Sequence, residues 1–349
     1  MDSLISVRRQ DETFFSYMKG TFSSQWRAIP TESLNLDLKK DYITFRLIPI
    51  ERVPHVSIWQ FILKVFRLDG LSFSVGGLIA TLFFLQAIER TFSFGLAISC
   101  FIPVICLHIA MNLFNDYYDH VRGVDRIGSV KSIQIGWVRA IDLYNWGWIA
   151  LGLGIFSGVF ILAASTAPIY LIVALAAFGI LEFSSNRFGL KYLGYGEITL
   201  FLLTGPLLVV GFVLAVNGNL QVRDLALGGF LGLLTLLFMH LNNLREILSA
   251  AQAGVSNIVT RNGFDKSKRI LGFMLILSSF VWWNVLILMH KSPWAFGPWI
   301  AGGIIFKYIF AQVLQSASPM SSVLRSTVQK RFLLHLLVLI CVSVSFMIP

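Results

Sequence analysis

Long apolar runs, each closed by a short polar stretch, organise most of this chain. They fall at about 70–89, 94–115, 144–165, 167–184, 197–216, 224–244, 270–290, 296–315 and 331–348. Each has the roughly 17 to 25 residues that cross the hydrocarbon core of a bilayer as a helix. The pattern predicts an all-α membrane protein of nine transmembrane helices. Gly and Pro inside several runs fit this assignment, because neighbouring helices re-satisfy the backbone they disturb. Residues 1–66 lack such a run and carry Trp26, Phe45 and Trp59 among positive charges. They read either as a segment lying at the membrane interface or as a solvated, partly disordered tail.

Composition agrees with a bilayer as the main solvent: 56% of residues are apolar, 13% are charged and mean hydropathy is +0.74. Met1 to Lys40 holds Arg8, Arg9, Asp11, Glu12, Lys19 and Arg27 with no apolar core of signal length, so the N-terminus is expected in the cytoplasm. Alternate loops test that orientation. With the N-terminus inside, the inner segments carry ten Lys and Arg (1–67), then four, two, five and three, which is 24 of the 28 in the chain. The outer loops carry only Arg90, Arg223 and Lys291, and Lys307 lies within a run. This asymmetry predicts a multi-pass protein of the inner (cytoplasmic) membrane with Met1 inside and Pro349 outside. The net charge of +10 is accounted for by an anionic inner leaflet, and nothing points to nucleic acid. Cys100, Cys106 and Cys341 all fall within apolar runs, as packing residues rather than a disulfide framework.

Candidate chemistry gathers where the runs end. After the second run stands Asn112-Leu-Phe-Asn115-Asp116-Tyr-Tyr-Asp119-His-Val-Arg122-Gly-Val-Asp125-Arg126. If the helix continues to Gly123, Asn112, Asp116 and Asp119 share one face at i, i+4 and i+7. Hard cations such as Mg²⁺ take oxygen ligands of this kind and commonly combine one or two carboxylates with substrate phosphates. Acids at membrane depth are costly unless used, which sets Asp116 and Asp119 apart. Asp125 is equally well a solvated acid paired with Arg122 or Arg126. A second cluster, His240-Leu-Asn242-Asn243-Leu-Arg245-Glu246, ends the sixth run on the same side. Between them the inner loop Ser184 to Glu197 brings Arg187 and Lys191. Two such clusters four helices apart look like corresponding parts of an internal repeat around one mouth. An acidic and basic mouth above an apolar interior suits a lipid with a phosphate head. His108, one turn before Asn112, is either a hydrogen-bonded bundle histidine or a site residue, and His240 is similar. Zinc spacings, Gly-rich nucleotide loops and serine-elbow motifs are absent from the sequence.

At these residues the chain resembles the UbiA-type intramembrane prenyltransferases, and within them the 1,4-dihydroxy-2-naphthoate polyprenyltransferase branch of menaquinone synthesis. The string Asn112 to Asp125 is similar to the first Asp-rich motif, and Arg126-Ile-Gly128-Ser-Val-Lys131 to the loop that follows it. Phe183-Ser-Ser through Lys191 to Glu197, with Thr204-Gly205-Pro206, resembles the central signature, and Asn242-Asn243-Leu-Arg245 opens the second motif. The resemblance spans roughly residues 60–349. It implies a UbiA-like bundle over 67–349 with a central cavity opening at the cytoplasmic side, and leaves 1–66 as an extension. It further implies Mg²⁺-assisted ionisation of an isoprenoid diphosphate and attack on the allylic cation by a small aromatic acceptor. Carried over by position, Asn112, Asp116, Asp119, Asp125 and Glu246 would act with the metal. Asn112, Arg126, Lys131, Lys191, Asn242, Asn243 and Arg245 would contact diphosphate, with Asp116, Asp119, Glu246 and Lys191 central to catalysis.

The second motif departs from the family pattern: the places of two acids at i and i+4 hold Glu246, which can still bind metal, and Ala250, which cannot, and Val255 and Asn257 stand where Lys and Thr are usual. Three functions remain open. One is prenyl transfer to a quinone precursor. Another is diverged chemistry, such as terpene cyclisation or an unusual acceptor. The third is a non-catalytic prenyl-lipid binding protein.

Overall fold

The computed structural model describes residues 3–31, 41–124 and 131–349. Its N-terminal part corrects the all-α expectation. Strands β1 (Ser3–Arg8), β2 (Trp26–Pro30) and β3 (Tyr42–Pro49) form an antiparallel sheet in the order β1-β3-β2, with α1 (Phe14–Lys19) between the first two. The cause is a period-2 alternation. Ile5 and Val7 lie opposite Phe45 and Ile43, and these residues pack with Ala28, Phe14 and Met18 as a small core. Phe45 is therefore fully buried in the sheet rather than at an interface. The interfacial reading suits α2 (Ile58–Val65), which Ser57 caps through the Gln60 amide. Ile58 and Trp59 are each 71% exposed on it.

A 3-10 turn over Leu68–Phe73 leads into α3 (Val75–Ala87), and α4 (Phe94–Ser99) runs into α5 (Phe101–Val121). The short α6 (Ser132–Ile135) precedes α7 (Ala140–Ala163) and α8 (Pro168–Glu182). Then come α9 (Leu190–Leu193), α10 (Gly196–Thr204), α11 (Pro206–Val216), α12 (Val222–Gln252), α13 (Ile258–Asn262) and α14 (Phe264–Leu288). The chain closes with α15 (Gly297–Gln315), α16 (Ser322–Gln329) and α17 (Arg331–Met347). All nine apolar runs are helical. By length and apolarity, six described helices are able to cross a membrane, or seven if the bent pair α16 and α17 is one span. The apolar α8 has only 15 residues.

Helix α5 lies along α7, while α12 packs on α10, α11 and α14. Backbone contact decides the second packing. Any side chain on Gly205, at the break between α10 and α11, would run into Gly228 and Gly232 of α12, so small residues let the helices approach closely. On the far side from the candidate site, the loop residue Arg90 is no solvated charge: its guanidinium donates to both oxygens of buried Asp224 at 3.1 and 2.8 Å, which ties the loop after α3 to the start of α12. The N-terminal part is fastened to the bundle through α1, whose Met18 carbonyl accepts from His120 Nε2 at 2.9 Å.

Candidate active site

Helix α5 stays regular to Val121, so the predicted spacing of Asn112, Asp116 and Asp119 is realised. Asp116 and Asp119 are buried, 5% and 3% exposed. Burying charge is costly unless it is compensated: both acids are ion-paired, and Asp119 is hydrogen-bonded as well. Lys191 Nζ donates to the Asp119 oxygens at 2.7 and 2.8 Å and to Asn115 Oδ1 at 2.9 Å. Tyr192 donates its hydroxyl to Asp119 Oδ1 at 2.9 Å, and Asn115 donates Nδ2 to Oδ2 at 3.2 Å. Lys131 Nζ lies between the carboxylates, 3.4 Å from Asp116 Oδ1 and 3.3 Å from Asp119 Oδ2. Arg67 reaches Asp116 Oδ1 at 3.0 Å.

Local backbone places these cations. Lys191 sits on the one-turn α9 between Gly189 and Gly194, both in the left-handed region (φ 56° and 92°) that favours glycine. Arg67 itself has φ 51°, an uncommon conformation for a residue with a Cβ that surrounding contacts must hold. Three cations thus face two carboxylates, and Arg122 adds a fourth, stacked 4.1 Å over Tyr192. A local positive excess of this kind suits an anion larger than the carboxylates themselves.

The second cluster is looser. Asn242 donates to Glu246 Oε2 at 2.9 Å, and Arg245 lies 4.0 Å from Glu246 Oε1. The Glu246 side chain is 47% exposed. Asn243 turns instead to buried Glu197, donating at 3.3 Å to an oxygen that also accepts the Ile258 amide at 2.9 Å. His240 donates Nε2 to the Ser267 carbonyl at 2.8 Å and ties α12 to α14, a structural role. Arg331 lies within electrostatic range of Glu246, Arg67, Asp69 and Arg245, so the two clusters share one mouth.

Asp125 and Arg126 lie outside the described residues. Asn112 is half-buried, and no hydrogen bond from its side chain is seen among the described residues; Asn115 is the amide that meets Asp119. Among those residues no three His, Cys, Asp or Glu side chains are close enough to hold one ion. Asp116 and Asp119 nevertheless fit a hard cation. One ammonium, that of Lys131, already reaches oxygens of both, and substrate phosphates would complete the oxygen ligands. Sequence spacing missed Arg67, Asn115, Tyr192, Glu197 and Arg331. Asn115 carried a signal in its i, i+4 relation to Asp119, and Tyr192 and Glu197 in lying within the central signature.

Beneath the charged mouth an apolar cavity of about 260 Å³ extends between α5, α7, α8, α10 and α11, lined by Leu107, Met111, Ile155, Ile172, Leu207 and Phe212 among others. Ser74 and His108 stand at its wall, with Ser74 Oγ 3.0 Å from His108 Nδ1. Met111, next to Asn112, also lines it, so the cavity adjoins the helix face that leads to Asp116.

The sequence profile of the UbiA prenyltransferase family matches residues 77–346. A 1,4-dihydroxy-2-naphthoate octaprenyltransferase of Haemophilus influenzae is 32% identical over 181 residues, which are 48% of this chain and 58% of that protein. Its namesake in Mycobacterium tuberculosis is 26% identical over 193 residues, 54% of this chain and 65% of that protein. The chain thus matches under two thirds of the length of these curated relatives. A structure of a UbiA homolog from Archaeoglobus fulgidus, described as bound to DMAPP and Mg²⁺, superposes with a TM-score of 0.59 at 16% identity, covering 82% of this chain and 99% of that one. At that identity the likeness is one of fold.

Proposed function

Because the chain belongs to the UbiA prenyltransferase family, we propose that it transfers a prenyl group, inside the membrane, from an isoprenoid diphosphate to an aromatic quinone precursor. The observation that carries this is the pair Asp116 and Asp119, buried at the end of an apolar helix, bridged by Lys131, with Lys191 on Asp119, above an apolar cavity. The diphosphate would lie at the mouth and the prenyl chain in the cavity. Lys131, Lys191, Arg67 and Arg245 would face the phosphate oxygens. Asp116 and Asp119 would hold Mg²⁺, which supplies, when bound, neutralisation of the charge that develops on the leaving group. The allylic C–O bond breaks with its electron pair leaving on diphosphate. A ring carbon of the acceptor then attacks the allylic carbon and the ring loses a proton. A water-poor cavity keeps the cation from solvent.

The relatives' names support 1,4-dihydroxy-2-naphthoate as the acceptor, and the charge asymmetry supports a cytoplasmic mouth and N-terminus. The test is incubation of the purified protein in lipid with Mg²⁺, geranyl diphosphate and 1,4-dihydroxy-2-naphthoate. The expected result is a product whose mass contains both prenyl group and ring. A prenyl product without the ring would indicate cyclisation. Intact diphosphate would favour a prenyl-lipid carrier, the reading to which Ala250 and the half-exposed Glu246 lend weight.

A further inference from the structure

The polar groups of the cavity wall are few, and their hydrogen bonds leave one atom over. Among lining side chains that carry oxygen or nitrogen, Thr204 donates to the Leu200 carbonyl at 2.7 Å and is satisfied within its own helix. Ser74 has a single hydroxyl proton, and the Leu71 carbonyl, 3.4 Å from its oxygen, is one acceptor for it. When Ser74 gives its proton to that carbonyl, the 3.0 Å contact between Ser74 Oγ and His108 Nδ1 has the ring N–H as donor. In a neutral imidazole the other nitrogen, Nε2, then carries a lone pair. No partner for Nε2 is seen among the described residues. A side chain at Gly70 would stand only 3.2 Å from it, so the space beside it exists because residue 70 has none.

Position along α5 gives this lone pair a use. His108 is one helical turn before Asn112 and about two turns before Asn115 and Asp116, on the wall between the charged mouth and the apolar cavity. With diphosphate at the mouth and the chain in the cavity, the allylic carbon falls at this level. An acceptor that attacks it must lie there too.

We propose that His108 Nε2, set in its tautomer by Ser74, accepts a hydrogen bond from a ring hydroxyl of the aromatic acceptor, so that the subsite selects rings bearing a free hydroxyl. The inference rests on the prenyl transfer proposed above. A hydroxyl donating to Nε2 places electron density on the ring carbon that attacks. It also fixes the ring beside the allylic carbon, where orientation contributes strongly to rate.

The test reads binding as well as turnover. The full chain in lipid nanodiscs is titrated with 1,4-dihydroxy-2-naphthoate and with 2-naphthoate, which lacks the hydroxyls and is smaller. The native protein is expected to prefer the hydroxylated ring by at least about tenfold, the worth of one buried hydrogen bond. His108→Leu should bring the ratio close to one. His108→Gln, which keeps an acceptor oxygen, should restore part of it, and Ser74→Ala should lower it by a few fold. In turnover, His108→Leu should release prenyl alcohol from geranyl diphosphate while forming about tenfold less prenylated ring. An undiminished ratio in folded His108→Leu overturns the proposal. If that variant does not fold, an undiminished ratio in both His108→Gln and Ser74→Ala overturns it. A ratio that collapses in a protein whose native form transfers nothing would keep the subsite and reject the transferase.

Discussion

The ends of α5 and α12 close on the same mouth and are built differently. On α5 every charge is answered: Asp119 takes Lys191, Lys131, Tyr192 and Asn115, and Asp116 takes Arg67 and Lys131. On α12 Glu246 is half exposed and held by Asn242, with Arg245 at 4.0 Å, and one turn beyond it stands Ala250. A buried, cross-linked acid is positioned before substrate arrives, whereas an exposed one spends interaction energy on becoming ordered. The comparison teaches that charge-stabilising capacity in this chain is concentrated in the first cluster, with the second in a supporting part.

The largest effect should come from breaking the strong side. Asp119→Ala is expected to lower turnover by at least about 10²–10³-fold, the loss seen when one preorganised electrostatic group is removed from an active site. Measured on detergent-purified protein, the loss should come with a retained elution profile. Turnover within a few fold of the native protein would remove the first cluster from the mechanism.

Lys191→Met comes next. Charge-assisted hydrogen bonds are worth enough that its loss should raise the KM for prenyl diphosphate about 10–100-fold. The comparison to make is with Arg245→Met, where the weaker engagement of α12 predicts a smaller rise. Equal effects would mean that the two clusters share the diphosphate evenly.

The smallest effects belong to the loose side and sharpen the contrast. Ala250→Asp places a carboxylate one turn after Glu246 on the same face, and should lower the Mg²⁺ concentration for half-maximal turnover by a few fold, since hard cations depend on charged oxygen ligands. Glu246→Gln should raise it by a similar factor. Mg²⁺ curves that coincide for native protein and both variants would show that α12 does not face the metal.

Membrane class, the helical state of the apolar runs and the shared helix face of the carboxylates at 116 and 119 were legible from local pattern alone. Apolar run length answers to bilayer thickness, and i, i+4, i+7 spacing answers to helix pitch, so neither needs a tertiary structure. The N-terminal sheet was half legible. Ser3–Arg8 and Tyr42–Pro49 alternate as strands do, but the pairing that buries Phe45 joins residues about forty apart, and the surrounding charges masked it. Family resemblance pointed to Lys191 and Lys131. What only the folded chain decided is how these groups meet. Asn115 rather than Asn112 faces Asp119, Arg67 reaches Asp116 from an unusual backbone conformation, and Ser74 lies against the ring of His108. The last two depend on the approach of separate elements, as does the packing that brings Gly205 onto Gly228 and Gly232. Sequence periodicity fixes which face of a helix a residue occupies, but the partner that face meets is chosen by packing.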